Sequence, residues 1–307
     1  MLPTLVVLAG ATAVGKTELS LALAERLDTE ILSADSRQFY RQMSIGTAKP
    51  SPSELARVRH HFVDFLPIEK RYTVADFEKE ALAVLSDLFK KKQYALLVGG
   101  SGLFIKALCE GLDEMPEVPL SVRQDLMQVL ENEGIEVLLE ELKTKDPLYF
   151  EQVDKANRQR VVRALEVIRT TGVPFSSFRT QEKKARPFRI VKIMLDRPRP
   201  ILYARINARV EQMLEQGLEQ EVRKLYPFRH LNALQTVGYQ EFFPYFEGLT
   251  DLAQTKAQIQ QNTRRYAKRQ LTWFRKDADF TWLEVENQPQ DWVLGQIEKR
   301  IAAEGAD

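Results

Sequence analysis

The 307-residue chain carries 44 Lys+Arg against 43 Asp+Glu, a formal charge of +1, and 44% hydrophobic residues. That length admits one large or two modest domains, the composition is that of a globular protein with a real core, and the charge balance by itself announces no polyanionic partner. One cysteine, Cys109, excludes an internal disulfide, and three histidines make a Cys/His zinc site untenable, so a reducing, cytoplasmic setting is expected.

The first apolar run, Thr4–Ala9, is rich in β-branched residues and followed by glycine, which predicts a buried strand. It is too short for a secretory or membrane segment and follows no basic stretch, so no membrane association is expected. From Lys16 the pattern turns helical, with Leu19, Leu21, Leu23 and Leu27 set among polar residues. Glu30–Ala34 reads as a second strand ending in Asp35-Ser36-Arg37-Gln38, Phe77–Phe89 as a helix, and Tyr94–Val98 as a third strand ended by Gly99-Gly100-Ser101-Gly102. A fourth strand is predicted at Ile190–Leu195, with helices over Ala204–Leu225 and Leu252–Phe274 and a last helix with a loose end after Asn287. Strands alternating with helices, each strand ending in a polar or glycine turn, indicate an α/β fold with a parallel sheet.

Residues 113–190 differ in character. Twelve acidic and three basic side chains lie within 113–154, and two acidic and ten basic within 155–189, with no strand-like run. This predicts a helical insertion domain inside an α/β core made of 1–112 and 191–307. The two opposed halves cancel, which is why the total charge says so little.

Gly10-Ala11-Thr12-Ala13-Val14-Gly15-Lys16-Thr17 matches G-x-x-x-x-G-K-[ST] between a strand and a helix, the context a phosphate-binding loop requires. Backbone N–H groups and the helix N-terminus face the anion, Lys16 supplies a full charge, and the Thr17 hydroxyl offers a ligand to Mg²⁺. Switch and motor NTPases usually end a later strand in an Mg²⁺-binding aspartate, whereas the third strand here ends in Gly-Gly-Ser-Gly. The carboxyl ends of adjacent parallel strands share a crevice, so Asp35, Ser101 and the loop should converge. Asp35 could serve there as metal ligand, general base or cap of the next helix, and Ser101 as substrate contact or cap.

Two basic helices stand out. In Asn157–Arg169, Val161, Leu165 and Ile168 form an apolar stripe while Arg160 and Arg163 share another face. Arg264–Lys276 holds six basic residues in thirteen, with Tyr266 and Trp273 seven apart. Basic helices with aromatics suit an RNA backbone and unpaired bases, although the two rings could equally be core. His60 and His61 are adjacent and, read as helical, point to different sides, so they cannot chelate together. Cys109 follows an apolar helix and reads as a small core residue.

GATAVGKT, ADSRQFYRQMSIGTAKP, HHFVD, VGGSGLFIKAL, NRQRVVRALEV, TVGYQE and TRRYAKRQLTWFR occur in this order. From Leu5 to about Trp282 the chain resembles the bacterial tRNA dimethylallyltransferases, which prenylate the adenosine 3′ of the anticodon. The resemblance implies that the cradle holds the diphosphate of dimethylallyl diphosphate rather than ATP, although the loop is of the nucleotide-binding kind. It implies Asp35 as general base on adenine N6 and Ser101, where the family usually has threonine, as a substrate contact. Arg209, in NARVEQML, would grip the diphosphate. Asp35-Ser36-Arg37-Gln38 and Gln159-Arg160-Val161-Val162-Arg163 match the tRNA-contacting strings, with Ser101 and, in poorly matching surroundings, Arg123 beside them. The insertion would grasp the anticodon stem-loop, and a monomer using Mg²⁺ is expected. The competing readings are a P-loop small-molecule kinase, which leaves the two basic helices unexplained, and a nucleotide-gated RNA-binding regulator without covalent chemistry.

Overall fold

The computed structural model describes residues 2–180 and 182–303, which form two compact units: residues up to Cys109 together with those from Ala185, and Glu110–Lys184 between them.

In the first unit, strands β1 (Thr4–Gly10), β2 (Ile31–Ala34), β3 (His60–His61), β4 (Tyr94–Gly99), β5 (Arg189–Asp196) and β6 (Thr281–Glu284) form one parallel sheet in the order β3-β2-β4-β1-β5-β6. Every residue of β1 is buried, as expected of a central parallel strand covered on both faces. Each fully buried Leu or Val there contributes about 1.5–3 kcal/mol through removal of apolar surface from water. Before the second unit the chain forms helices α1 (Lys16–Arg26), α2 (Pro52–Arg57), α3 (Val74–Leu88) and α4 (Gly102–Glu110), of which α2 buries no residue.

The second unit contains α5 (Leu120–Asn132), α6 (Ile135–Lys145), α7 (Pro147–Gln152), α8 (Arg158–Thr171) and a 3₁₀ turn at Phe175–Phe178, around its own core of Leu126, Leu138, Leu142, Val161, Leu165 and Ile168. Buried Asp146 caps α7 through the Tyr149 N–H at 3.0 Å and ties in the 3₁₀ turn through the Ser176 N–H at 2.7 Å and hydroxyl at 2.8 Å. The chain then completes the first unit with α9 (Arg199–Glu215), α10 (Leu218–Leu225), α11 (Phe242–Phe246), α12 (Leu252–Phe274) and α13 (Gln290–Ala303). Among the described residues no helix is long and apolar enough to cross a membrane.

Several expectations need correction. The boundary of the inserted segment lies at Lys184 rather than residue 190, because Arg189 and Ile190 pair with Thr4 and Leu5 in the sheet. His60 and His61 form an edge strand paired with Ile31 and Leu32, not part of a helix. Strand alternation still points them apart: His60 bonds the Val58 carbonyl and His61 the Glu30 carboxylate. The helix expected over Ala204–Leu225 is two, interrupted at Gly217, whose φ of 98° is the left-handed conformation glycine adopts most readily. Strand β6 follows the second basic helix at a point where no strand was expected. The loose end expected after the last helix falls on residues 304–307, which lie outside the described residues.

Candidate functional site

Register brings the expected residues together. Ala9 of β1 and Ala34 of β2 are both opposite Gly99 of β4, so the three strands end level and their following loops share one crevice. The loop after β1 enters α1 through Gly15, at φ 110°, a conformation that a Cβ would strain. Lys16 folds back on it, its Nζ donating to the Gly10 and Ala11 carbonyl oxygens at 2.9 Å each.

Two arginines that sequence reasoning passed over complete this loop. Arg205 Nε donates to the Ala13 carbonyl and Arg197 Nε to the Val14 carbonyl, both at 2.8 Å. In a trans peptide the N–H lies opposite its carbonyl, so holding Val14 C=O towards Arg197 turns the Gly15 N–H the other way. Arg197 is also paired with Glu286, which limits its role as a free cation.

A cavity of about 110 Å³ opens beside the loop. Thr12, Asp35, Arg37 and Arg209 line its polar side, and Ile206, Val210, Met213 and Ile259 its apolar side. Asp35 is the only carboxylate in the lining, and its Oδ1 accepts the Arg37 N–H at 3.0 Å. That bond closes a turn; no α-helix follows for Asp35 to cap. Ser101 Oγ likewise accepts from the Ser36 N–H, at 3.2 Å, rather than capping α4, and so joins the β2 and β4 loops.

The electrostatics are those of an anion site. Burial, followed by repulsion from Arg209, lowers the Lys16 pKa to about 8 despite the opposing attraction of Asp35. Burial also lowers the pKa of Arg209, with Asp35 pulling against it. Three charges thus lie close enough to influence one another, and the excess is positive.

Tyr266, left open between core and stacking roles, is a wall of this cavity. Burial and the nearby Asp35 push its phenol up to about 12, keeping it protonated at neutral pH. Trp273 is partly exposed, on the same stripe of α12. Gln270, between them, accepts the Thr12 N–H and donates to the Gly100 carbonyl, both at 3.0 Å. The available signal was its position, four residues after Tyr266 and three before Trp273.

The remaining expected residues have mixed placements. Arg37 lines the cavity and also donates to the Asn232 carbonyl. Gln38 spends its amide internally, accepting from Ser33 Oγ and donating to the Thr47 and Ala48 carbonyls. Thr17 is exposed in the first turn of α1 and is not part of the cavity lining. In the second unit Val161 and Val162 are buried in the core, so the string 159–163 shows solvent Gln159, Arg160 and part of Arg163. Arg123 and Arg163 both bind the buried Glu166 carboxylate, at 2.7 and 3.0 Å.

Comparison with known proteins gives the family. A family profile described as IPP transferase matches residues 38–277. The chain is 49% identical over 292 residues to the tRNA dimethylallyltransferase of Christiangramia forsetii, covering 95% of this chain and 96% of the relative. It is 50% identical over 283 residues to tRNA dimethylallyltransferase 2 of Porphyromonas gingivalis, covering 92% and 94%. The crystal structure of the tRNA isopentenylpyrophosphate transferase of Bacillus halodurans superposes with a TM-score of 0.71 at 35% identity, over 98% of this chain and 99% of that one. With the P-loop, the lone carboxylate and the level strand ends already in place, this similarity over nearly the full length makes the chain a member of the IPP transferase family, that of the tRNA dimethylallyltransferases.

Proposed function

We propose that this site transfers the dimethylallyl group of dimethylallyl diphosphate to N6 of the adenosine 3′ of the anticodon in tRNA and releases diphosphate. The observation that carries the reading is one cavity with Arg209 and Thr12 of the cradle, a single carboxylate, and an apolar wall of Ile206, Val210, Met213 and Ile259. A short apolar chain esterified to a diphosphate needs those three surroundings together.

The allylic C–O bond breaks with its electron pair leaving on diphosphate, and the N6 lone pair forms the new C–N bond. Adenine N6 is a weak nucleophile because its lone pair is delocalised into the ring, so the developing carbocation must do most of the driving. Loop N–H groups, Lys16 and Arg209 stabilise the charge arriving on the diphosphate. Asp35 accepts the N6 proton, an effect worth about 10²–10⁴-fold. Ser101, whose Oγ accepts the Ser36 N–H beside Asp35, would contact the base.

The exposed Thr17 hydroxyl is an oxygen donor of the kind a hard cation such as Mg²⁺ prefers, and Thr17 would hold it. When bound, it supplies further charge neutralisation to the diphosphate. The target base must leave its stack, which costs a few kcal/mol and is cheapest in a single-stranded loop. Phosphate contacts offset that cost, from the exposed Arg265, Lys268 and Arg269 of α12 and from Arg158 and Arg160 of the second unit.

Mass analysis of tRNA incubated with the protein and dimethylallyl diphosphate should show one added prenyl group without nucleotide. Asp35→Asn should lower turnover about 10²–10⁴-fold while tRNA affinity stays within about twofold. ADP release dependent on a small alcohol would establish a kinase instead, and full turnover by Asp35→Asn would remove the base assignment.

A further inference from the structure

Helix α12 meets the turn after β4 residue by residue. Trp273 covers Gly102, where a Cβ would lie 2.1 Å from the indole Cδ1. The Ser101 side chain lies close enough to the Tyr266 phenol to influence its ionisation. Gln270 covers Gly100, where a Cβ would lie 2.2 Å from the amide nitrogen. Gln270 is 7% exposed, and both ends of its amide are used: Nε2 donates to Gly100 C=O and Oε1 accepts Thr12 N–H, each at 3.0 Å. One side chain therefore spans the loops that follow adjacent strands β1 and β4.

We propose that Gln270 is a positioning residue that holds the phosphate cradle in its anion-binding shape and sets its separation from the Ser101 turn. The proposal rests on the reading that the cradle binds diphosphate. The chemistry requires a primary amide, since the group must accept from an N–H on one side and donate to a carbonyl on the other. A glutamate would set a carboxylate oxygen against the Gly100 carbonyl and add negative charge beside the cradle. A leucine would leave the buried Gly100 C=O without its donor and the part-buried Thr12 N–H without its acceptor. Gly100 is explained by the same contact, because any side chain there would expel the amide.

The test titrates inorganic diphosphate, without RNA, into wild type, Lys16→Ala, Gln270→Leu and Gln270→Glu, with thermal melts to establish folding. Both Gln270 variants should bind diphosphate about tenfold more weakly or worse and raise KM for dimethylallyl diphosphate, leaving KM for tRNA within about twofold. A general loss of structure would move both KM values together. If Lys16→Ala loses affinity while folded Gln270→Leu keeps it, this inference is overturned alone; if both keep it, the diphosphate reading goes first. Should both Gln270 variants fail to fold, NMR of the wild type decides. The Thr12 N–H and Gln270 side-chain amide resonances should both shift on adding diphosphate, and fixed positions would overturn the proposal.

Discussion

Lys16 shows what burial does to a single group. Its ammonium is surrounded by carbonyl oxygens and by Arg209, and its pKa falls to about 8 from 10.5. Between those values the unfolded chain holds more protons than the folded one, so this lysine's contribution to stability rises with pH in that window and is constant below it. Ligand binding has the opposite sign. A diphosphate favours the charged form and raises the pKa again, so affinity should fall as pH increases through about 8, approaching about tenfold per unit. Calorimetric titration with diphosphate from pH 7 to 9.5, in buffers of different ionisation enthalpy, should reveal proton uptake near the upper end. The part of the slope due to Lys16 should vanish in Lys16→Met; an unchanged slope would assign it to the ligand's own titration.

At the scale of elements, a segment without regular structure is held by a side chain from a helix. The loop that carries Gly46 and Thr47 into the cavity wall has no ladder bonds, and a carboxylate from α10 replaces them. Glu221 accepts from the N–H groups of Ser44, Ile45 and Gly46 at 3.0, 2.9 and 3.1 Å, and from the Tyr239 hydroxyl at 2.6 Å. Successive N–H groups closing on one anion form a nest, the geometry that elsewhere binds phosphate. Gly46 lies so close to Tyr239 that a Cβ would sit 2.5 Å from the ring, so the loop cannot shift to find other partners. Glu221→Gln replaces one acceptor with a donor facing a donor and should destabilise the protein by about 1–3 kcal/mol. Thermal denaturation measures this, and an unchanged melting temperature would mean that the nest accepts either group.

At the scale of the molecule, the sequence's opposed charge blocks share the second unit, where part of the basic excess is neutralised internally. Glu166, Arg123 and Arg163 form one cluster, and Arg169 binds Glu141 at 2.5 Å through Nη2. The first and last residues of this unit are adjacent, with Lys184 N–H donating to Glu110 C=O at 2.7 Å. A short linker in place of residues 111–183 should therefore leave the first unit folded, with wild-type diphosphate affinity. Affinity for an anticodon stem-loop should fall by at least tenfold, and the slope of log K against log salt should become shallower as phosphate contacts are lost. Filter binding at two salt concentrations checks this, and unchanged RNA affinity would assign recognition to the first unit alone.

Composition, periodicity and motif spacing by themselves determined the parallel α/β class, the cradle, and the meeting of Asp35 and Ser101 beside it. Those features are local or follow from strand ends lying level, so the chain order of strand, turn and helix is enough to read them. The short edge strands β3 and β6 were not legible, because two to four residues carry too little periodicity and their pairing is supplied by neighbours. Nor could spacing tell that Val161 and Val162 turn inward in a string otherwise basic. The tertiary structure alone decided that Gln270 would bridge two loops, that Arg197 and Arg205 would hold the cradle's carbonyls, and that Glu221 would fill a nest. Each of those side chains acts on backbone groups well over a hundred residues away in the chain. Backbone donors and acceptors are the same at every position, so only the folded path shows which of them a distant side chain will find.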